Sequence, residues 1–170
     1  MNIFKFVAVA LMMVGLIGCT GKSEQSKFRT YNGPEVTHVL VNKGERRMYL
    51  FHEDRVLKTY SVGLGFTAEG HKRFEGDGKT PEGRYYINRR NPNSAFHLSL
   101  GISYPNAKDI AFAKAHGKSA GGDIFIHGLP NGIRRAGRPD WTAGCISVTN
   151  REIEEIYAMV RNGTPITINP

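Results

Sequence analysis

Residues 37–65 have the sequence THVLVNKGERRMYLFHEDRVLKTYSVGLG and contain three short runs of apolar and β-branched residues. The runs are separated by two polar turns and cover residues 37–42, 46–52 and 55–65. Short strands joined by tight connections pair with their sequence neighbours, because little chain is available to carry them elsewhere. The stretch therefore predicts a three-stranded antiparallel meander at the start of a β-rich domain.

Further strand candidates follow, separated by segments rich in glycine, proline and asparagine. They cover residues 84–88, 97–103, 123–127 and 164–169. Two helices are also predicted, an alanine-rich one over residues 106–116 and a second that begins after Thr149. Thr149 and Glu152 have capping-box spacing and precede an apolar stripe of helical period. Six to eight short strands with one or two short helices predict a mainly β fold, a β-sandwich or barrel.

The beginning of the chain has the pattern of an export signal. Residues 6–17 form an apolar run that is too short to span a bilayer but suits a signal peptide. The run ends in LIGC at 16–19, which resembles a bacterial lipobox and implies cleavage before Cys19 and lipidation of that cysteine. The alternatives are an ordinary signal peptide that is cut elsewhere and an uncleaved anchor.

The predicted organisation has three parts: a signal peptide over residues 1–18, a tether over 19–36 and a folded domain over 37–170. The lipobox implies a lipid-anchored protein of the periplasm, and Thr20, in place of an aspartate, favours the outer over the inner membrane. Membrane contact would then be made through the N-terminal lipid.

Charge and cysteine content narrow the possible partners. The formal net charge is +8, and three arginines, Arg134, Arg135 and Arg138, lie in one loop. Export argues against a nucleic-acid partner and favours an anionic, carboxylate-bearing substrate outside the cytoplasm, although a solvated basic face is the alternative. With Cys19 lipidated, Cys145 has no intramolecular partner, so it is either an inert buried thiol or a reactive one.

The surroundings of Cys145 suit a nucleophile. A thiol nucleophile needs a base and donors for the oxyanion that forms when it attacks a carbonyl. His127 ends a predicted strand eighteen residues before Cys145. Gly144 permits close approach to a substrate, and the amides of Gly144 and Cys145 are candidate oxyanion donors. One histidine and one cysteine are by themselves a weak signal.

The motifs together resemble the L,D-transpeptidase (YkuD-type) catalytic domain family. They are HG at 127–128, TAGCI at 142–146 and TPEG at 80–83, in the order that the family has them. The segments NPNS at 91–94 and SLGISYPN at 99–106 look most like its compact murein subgroup. The resemblance covers nearly all of residues 37–170 and implies a YkuD-like β-sandwich with the cysteine at the mouth of a cleft.

The resemblance also implies a reaction and its participants. Cys145 would attack the carbonyl of the third residue of a peptidoglycan stem peptide, and His127 would act as base and then as acid. The Gly128 carbonyl would orient the imidazole, and an amine of a second stem would resolve the thioester. No metal or cofactor is implied. Stem-peptide recognition is assigned to the three loop arginines and to Tyr104, with His97 as a further residue that could line the cleft.

Two other functions fit the same motifs. A hydrolase would resolve the thioester with water, cutting stem-peptide or protein–murein links, and a non-catalytic wall-binding lipoprotein would keep only the fold. Ser147 departs from the arginine or asparagine that many members have just after G-C-[IV], which leaves the donor and acceptor open. We also expect the Cys145 thiol pKa to lie below the ordinary value of about 8.5.

Overall fold

The structure is a computed structural model that describes residues 26–137 and 139–170. These residues form eight strands and two helices, α1 (Ala107–Ala115) and α2 (Asn150–Met159). In chain order the strands are β1 (His38–Asn42), β2 (Arg47–His52), β3 (Arg55–Ser61), β4 (Gly83–Asn91), β5 (Ser99–Ile102), β6 (Phe125–His127), β7 (Ile146–Ser147) and β8 (Pro165–Asn169).

The strands form one sheet in the order β3-β2-β1-β8-β4-β5-β6-β7. The predicted meander is confirmed, since β2 pairs antiparallel with both β1 and β3. The pairs β1–β8 and β6–β7 are parallel, and the other neighbours are antiparallel. The chain after β3 then meets the opposite edge of the sheet, because Gly63 and Ser147 exchange two backbone hydrogen bonds of 2.9 and 2.8 Å. The sheet is thereby curled, and the mainly β fold with two short helices is confirmed.

The core lies inside this curled sheet, where alternate residues of each strand point inward. Val39, Leu50, Ile87 and Leu100 are among the fully buried side chains. Each such burial contributes about 1.5–3 kcal/mol relative to exposure. The inward residues fix the register, because a slip of one residue would turn every apolar side chain of a strand toward solvent.

Helix α2 supports the strand that carries the predicted base. Its capping box is present, with Thr149 Oγ1 accepting from the Glu152 N–H and the Glu152 carboxylate accepting from the Thr149 N–H at 2.8 Å. Its apolar stripe packs against β5 and β6. At its start, Asn150 Oδ1 accepts from the Leu129 N–H at 2.8 Å. The chain immediately after His127 is therefore held against the helix.

Residues 26–36, the part of the predicted tether that the structure describes, lie against the domain. Lys27 Nζ donates to the Pro92 carbonyl at 2.6 Å, and Arg29 pairs with Glu154 at 2.8 Å. Val36 is buried with the core, and Tyr31 packs against it. Pattern alone suggested a free polar segment, but its aromatic and basic side chains find partners on α2 and the turn after β4.

Residues 1–25, including Cys19 and the lipobox, lie outside the described residues. Signal cleavage, lipid anchoring and a periplasmic location therefore stay predictions from the sequence. In residues 26–137 and 139–170, neither helix has the length and apolar content needed to cross a membrane.

Candidate active site

The pairing of β6 with β7 brings the predicted base and nucleophile together. Ile126 pairs with Ile146 and His127 with Ser147 in a parallel register. Ile126 and Ile146 are fully buried in the core. Side chains alternate along a strand, so His127 and Cys145 project on the other side. Both line a cleft of about 430 Å³, together with Ser99, Phe125 and other residues: Asn91, Ser94, Ala95, Phe96 and Asp123.

The imidazole of His127 is held in one tautomer. Its Nδ1 lies 2.6 Å from the Gly128 carbonyl oxygen, which can only accept, so Nδ1 carries the proton in the neutral ring. Nε2 then has a free lone pair. The ring packs between Phe96, at 4.5 Å between centroids, and Trp141, at 5.6 Å. The expected hydrogen bond from His127 to the Gly128 carbonyl is therefore present, and it leaves Nε2 as the nitrogen that can take a proton.

Both members of the pair are neutral at rest. Burial lowers the pKa of the His127 imidazole, and the hydrogen bond to Gly128 opposes this effect only in part. Burial raises the pKa of the Cys145 thiol; a backbone hydrogen bond from Phe125 opposes the rise and the Asp123 carboxylate adds to it. The expectation of a lowered thiol pKa is thus wrong. Desolvation of the thiol is the largest effect, and the uncharged His127 supplies no positive charge to oppose it.

Thr142 organises the turn that presents the thiol. Its hydroxyl donates to the Cys145 carbonyl at 2.7 Å and accepts from the Gly144 N–H at 3.2 Å. Its backbone N–H donates to the Leu64 carbonyl at 3.2 Å, and its carbonyl accepts from Phe66 at 2.9 Å. The turn is therefore fixed both internally and to the chain after β3.

Gly144 cannot be replaced without strain. Its φ is +137°, and a Cβ there would lie 2.6 Å from the Lys79 carbonyl oxygen. Lys79 precedes the TPEG motif, whose Thr80 is fully buried and accepts from the Gly65 N–H at 3.0 Å. The TPEG motif thus packs beneath the cysteine turn.

The predicted pair of oxyanion donors is revised by this geometry. The Gly144 N–H is already bonded to Thr142 Oγ1. Among the described residues, the Cys145 N–H has no protein acceptor. The Cys145 amide is therefore the candidate donor for an oxyanion formed on a substrate carbonyl. The thiol itself donates to the Asp123 carbonyl oxygen at 3.4 Å.

The predicted substrate residues do not gather at this cleft. Tyr104 is only 5% exposed, its hydroxyl donates to the Ala120 carbonyl at 3.0 Å, and it does not line the cleft that holds Cys145. Its ring packs into the core against Tyr85. His97 pairs with Glu154 at 2.9 Å instead of lining the cleft.

The basic loop lines a groove other than the Cys145 cleft. Arg134 and Arg135 are exposed and line a separate groove of about 740 Å³ with Trp141. Arg138 lies outside the described residues. A role for these arginines in recognising substrate stays a prediction.

Sequence reasoning missed Asp123 and Arg89. Asp123 has a φ of +54°, and its carbonyl is the acceptor for the thiol. Its carboxylate pairs with Arg89 of β4 at 2.7 Å. Neither residue belongs to a recognisable motif, and only the pairing of β4, β5 and β6 brings them together. No group of three or more His, Cys, Asp or Glu side chains suited to a metal ion occurs in residues 26–137 and 139–170.

Comparison with known proteins identifies the family. A family model described as the L,D-transpeptidase catalytic domain (YkuD) matches residues 36–168. The chain therefore belongs to the L,D-transpeptidase catalytic domain family, as the motifs predicted.

Three relatives illustrate the similarity. The candidate L,D-transpeptidase YafK of Escherichia coli (strain K12) is 29% identical over 156 residues, which cover 86% of this chain and 56% of that protein. The helical cell shape determining protein Pgp2 from Campylobacter jejuni has 28% identity and a TM-score of 0.62, covering 85% of this chain and 51% of that one. An L,D-transpeptidase from Mycobacterium smegmatis is similar in fold, with a TM-score of 0.53 at 13% identity, covering 79% of this chain and 59% of that one. The chain spans little more than half the length of these proteins.

The raised thiol pKa predicts slow alkylation at neutral pH. Below a raised pKa the thiol stays protonated, and only the thiolate reacts with iodoacetamide. We expect the rate at Cys145, followed by mass spectrometry of its peptide, to rise with pH with a midpoint above the ordinary value of about 8.5. Glutathione treated in parallel is the reference. A midpoint at or below that of glutathione would show a preformed thiolate and contradict the neutral pair.

Proposed function

We propose that this domain is a cysteine-dependent peptidoglycan L,D-transpeptidase, with Cys145 as nucleophile and His127 as general base. The observation that carries the proposal is that both side chains line one cleft while the Gly128 carbonyl fixes the proton on His127 Nδ1. Nε2 is then the atom that can accept the thiol proton. Membership of the family supports this assignment, and so does the fit of its TPEG and TAGC motifs to one turn.

Acylation of the enzyme begins with proton transfer. His127 Nε2 takes the proton from Cys145 Sγ, and the sulfur attacks the carbonyl carbon of the third residue of a stem peptide. The carbonyl π electrons move to oxygen, where the Cys145 N–H stabilises the negative charge. As the C=O re-forms, the C–N bond breaks, and the imidazolium gives its proton to the leaving amine, D-alanine. A thioester on Cys145 remains.

An acceptor amine completes the cycle. Neutral His127 removes a proton from the amine as it attacks the thioester carbonyl, and the C–S bond breaks. The sulfur regains its proton from the imidazolium, which restores the neutral pair. No net charge is stored on the enzyme between turnovers, in agreement with the directions of the two pKa shifts.

The structure also gives a reason for generating the thiolate only when substrate is bound. The resting thiol is desolvated and donates to a carbonyl, so it is a weak nucleophile on its own. Substrate that fills the cleft would place a carbonyl within reach of the sulfur as His127 takes the proton. Pgp2 is named as a helical cell shape determining protein, and we propose that this chain also contributes to cell shape.

The test is mass spectrometry of the purified protein incubated with muropeptides that carry tetrapeptide stems. We expect a covalent adduct on the Cys145 peptide, release of D-alanine and formation of a cross-linked dimer. A shortened monomer without dimer would instead assign the hydrolase, with water as the acceptor. Wall binding with no adduct and no product would support the non-catalytic binder and overturn the proposal.

A further inference from the structure

Arg89 is a cation that contacts two residues lining the Cys145 cleft, although it belongs to neither catalytic motif. The Arg89 guanidinium carbon lies 4.4 Å from the centre of the Phe125 ring, and its Nη2 lies 2.7 Å from Asp123 Oδ1. Phe125 and Asp123 both line the cleft, and the Asp123 carbonyl accepts from the thiol. Arg89 therefore contacts Asp123, and Asp123 in turn contacts the Cys145 sulfur.

Arg89 reaches this position because the strand between it and the cleft has a glycine at the crossing point. Arg89 of β4 pairs with Gly101 of β5, and Gly101 pairs with Phe125 of β6. A Cβ on Gly101 would overlap the Arg89 side chain and lie 2.7 Å from its Nε. The missing side chain leaves a path along which the guanidinium crosses β5 and stacks on the Phe125 ring.

The ion pair between Arg89 and Asp123 is exposed, so another carboxylate can replace that of Asp123. The Asp123 side chain is 83% exposed and that of Arg89 is 49% exposed. Exposed ion pairs contribute little to stability. The neighbouring Arg90 differs, because its guanidinium donates to the Tyr157 and Val160 carbonyls and lies over the Tyr157 ring. Arg90 thus has a structural role, whereas Arg89 is free to take another carboxylate.

A carboxylate-bearing substrate needs such a cation. Among the residues that line the described cleft, Asp123 carries a negative charge and His127 is neutral. The described lining contains no lysine or arginine. Ser147, which follows the cysteine motif, is buried and uncharged. A carboxylate entering the cleft would be repelled by Asp123 unless it took over the guanidinium, which offers two parallel donors to a carboxylate.

We propose that Arg89 binds a free carboxylate of the stem peptide and that Asp123 occupies this site as a substitute in the substrate-free protein. The proposal rests on the proposed function for the identity of the substrate. It assigns Arg89 to substrate binding and Asp123 to competition for the same guanidinium. The two residues therefore have opposite effects on affinity, which a merely structural ion pair would not produce.

The test measures binding by calorimetry in the Cys145→Ala background, so that turnover plays no part. The probes are a stem tetrapeptide with free carboxylates and two analogues, amidated either at the C-terminus or at the side-chain carboxylate of the third residue. We expect Arg89→Gln to weaken binding of the free peptide about ten- to a hundredfold, as loss of a charged hydrogen bond does. Asp123→Asn should strengthen it, and Arg89→Lys should restore part of the loss.

The amidated analogues identify the carboxylate. The analogue that lacks the bound carboxylate should bind weakly and be insensitive to Arg89→Gln. Arg151→Gln, on an arginine side chain that is 80% exposed on α2, serves as the charge-matched control and should change nothing. If Arg89→Gln and Asp123→Asn weakened peptide binding equally, or if all three peptides responded alike, the ion pair would be only a structural contact. Either result would overturn the proposal. Adduct formation by the wild-type protein is measured separately, so failure of the proposed function would be recognised independently.

Discussion

The Cys145→Ala protein forms no adduct and no product with tetrapeptide muropeptides, because the sulfur that lines the described part of the cleft is gone. We expect at least a thousandfold loss of activity, on the order of the loss when a nucleophile is deleted. The fold should survive. The thiol makes one long contact, 3.4 Å to the Asp123 carbonyl, so the free energy of unfolding should change by less than about 1 kcal/mol.

Activity is measured by mass spectrometry of the muropeptides and stability by thermal unfolding. Cys145→Ser is the matched control, because it keeps the geometry but replaces the thiol with a hydroxyl that is far harder to deprotonate. It should be as inactive as the alanine variant. Product from Cys145→Ala at a rate near that of the wild type would remove Cys145 from the mechanism altogether.

The His127→Gln protein should lose about 10²- to 10⁴-fold in kcat/KM, the usual contribution of a general base. Glutamine cannot take a proton from the thiol, and the thiol pKa is raised by burial, so little thiolate forms without the imidazole. His116→Gln is the matched control. The ring of His116 also donates to a backbone carbonyl through Nδ1, at 2.8 Å, and stacks on Phe112, but it is exposed at the C-terminal cap of α1.

The pH profile separates the base role from a packing role. Catalysis requires neutral His127, and its pKa is lowered by burial, so the ring stays neutral to a pH below its ordinary value of about 6.5. The acid limb of kcat/KM should therefore have its midpoint below 6.5 in the wild type. The limb should vanish in His127→Gln, and its persistence there would assign it to another group and contradict the base assignment.

Local patterns account for what the sequence determined. The meander over β1 to β3 and the cap and stripe of α2 depend on residues a few positions apart, so they are visible without any tertiary contact. The HG, TPEG and TAGC motifs identified the family and placed His127 and Cys145 in it. The reason is chemical, since a glycine at 144 and a threonine at 142 are required by the turn itself.

The features that the sequence did not predict depend on the curled sheet. Strand β7 has two residues and no pattern of its own, and it exists because Gly63 and the end of β6 lie on either side of it. That closure partly buries the thiol, and the desolvation raises its pKa, opposite to the predicted direction. The same kind of non-local packing turned Tyr104 into a core residue.

Arg89 shows the distinction most clearly. In the sequence it is one of several arginines, separated from Asp123 by 34 residues. Its place beside the cleft depends on two strand pairings and on the absence of a side chain at Gly101. The sequence by itself determined the chemistry available to this protein. The tertiary structure decided which groups share the cleft, because their distances, burial and charge environment depend on strands that are distant in the chain.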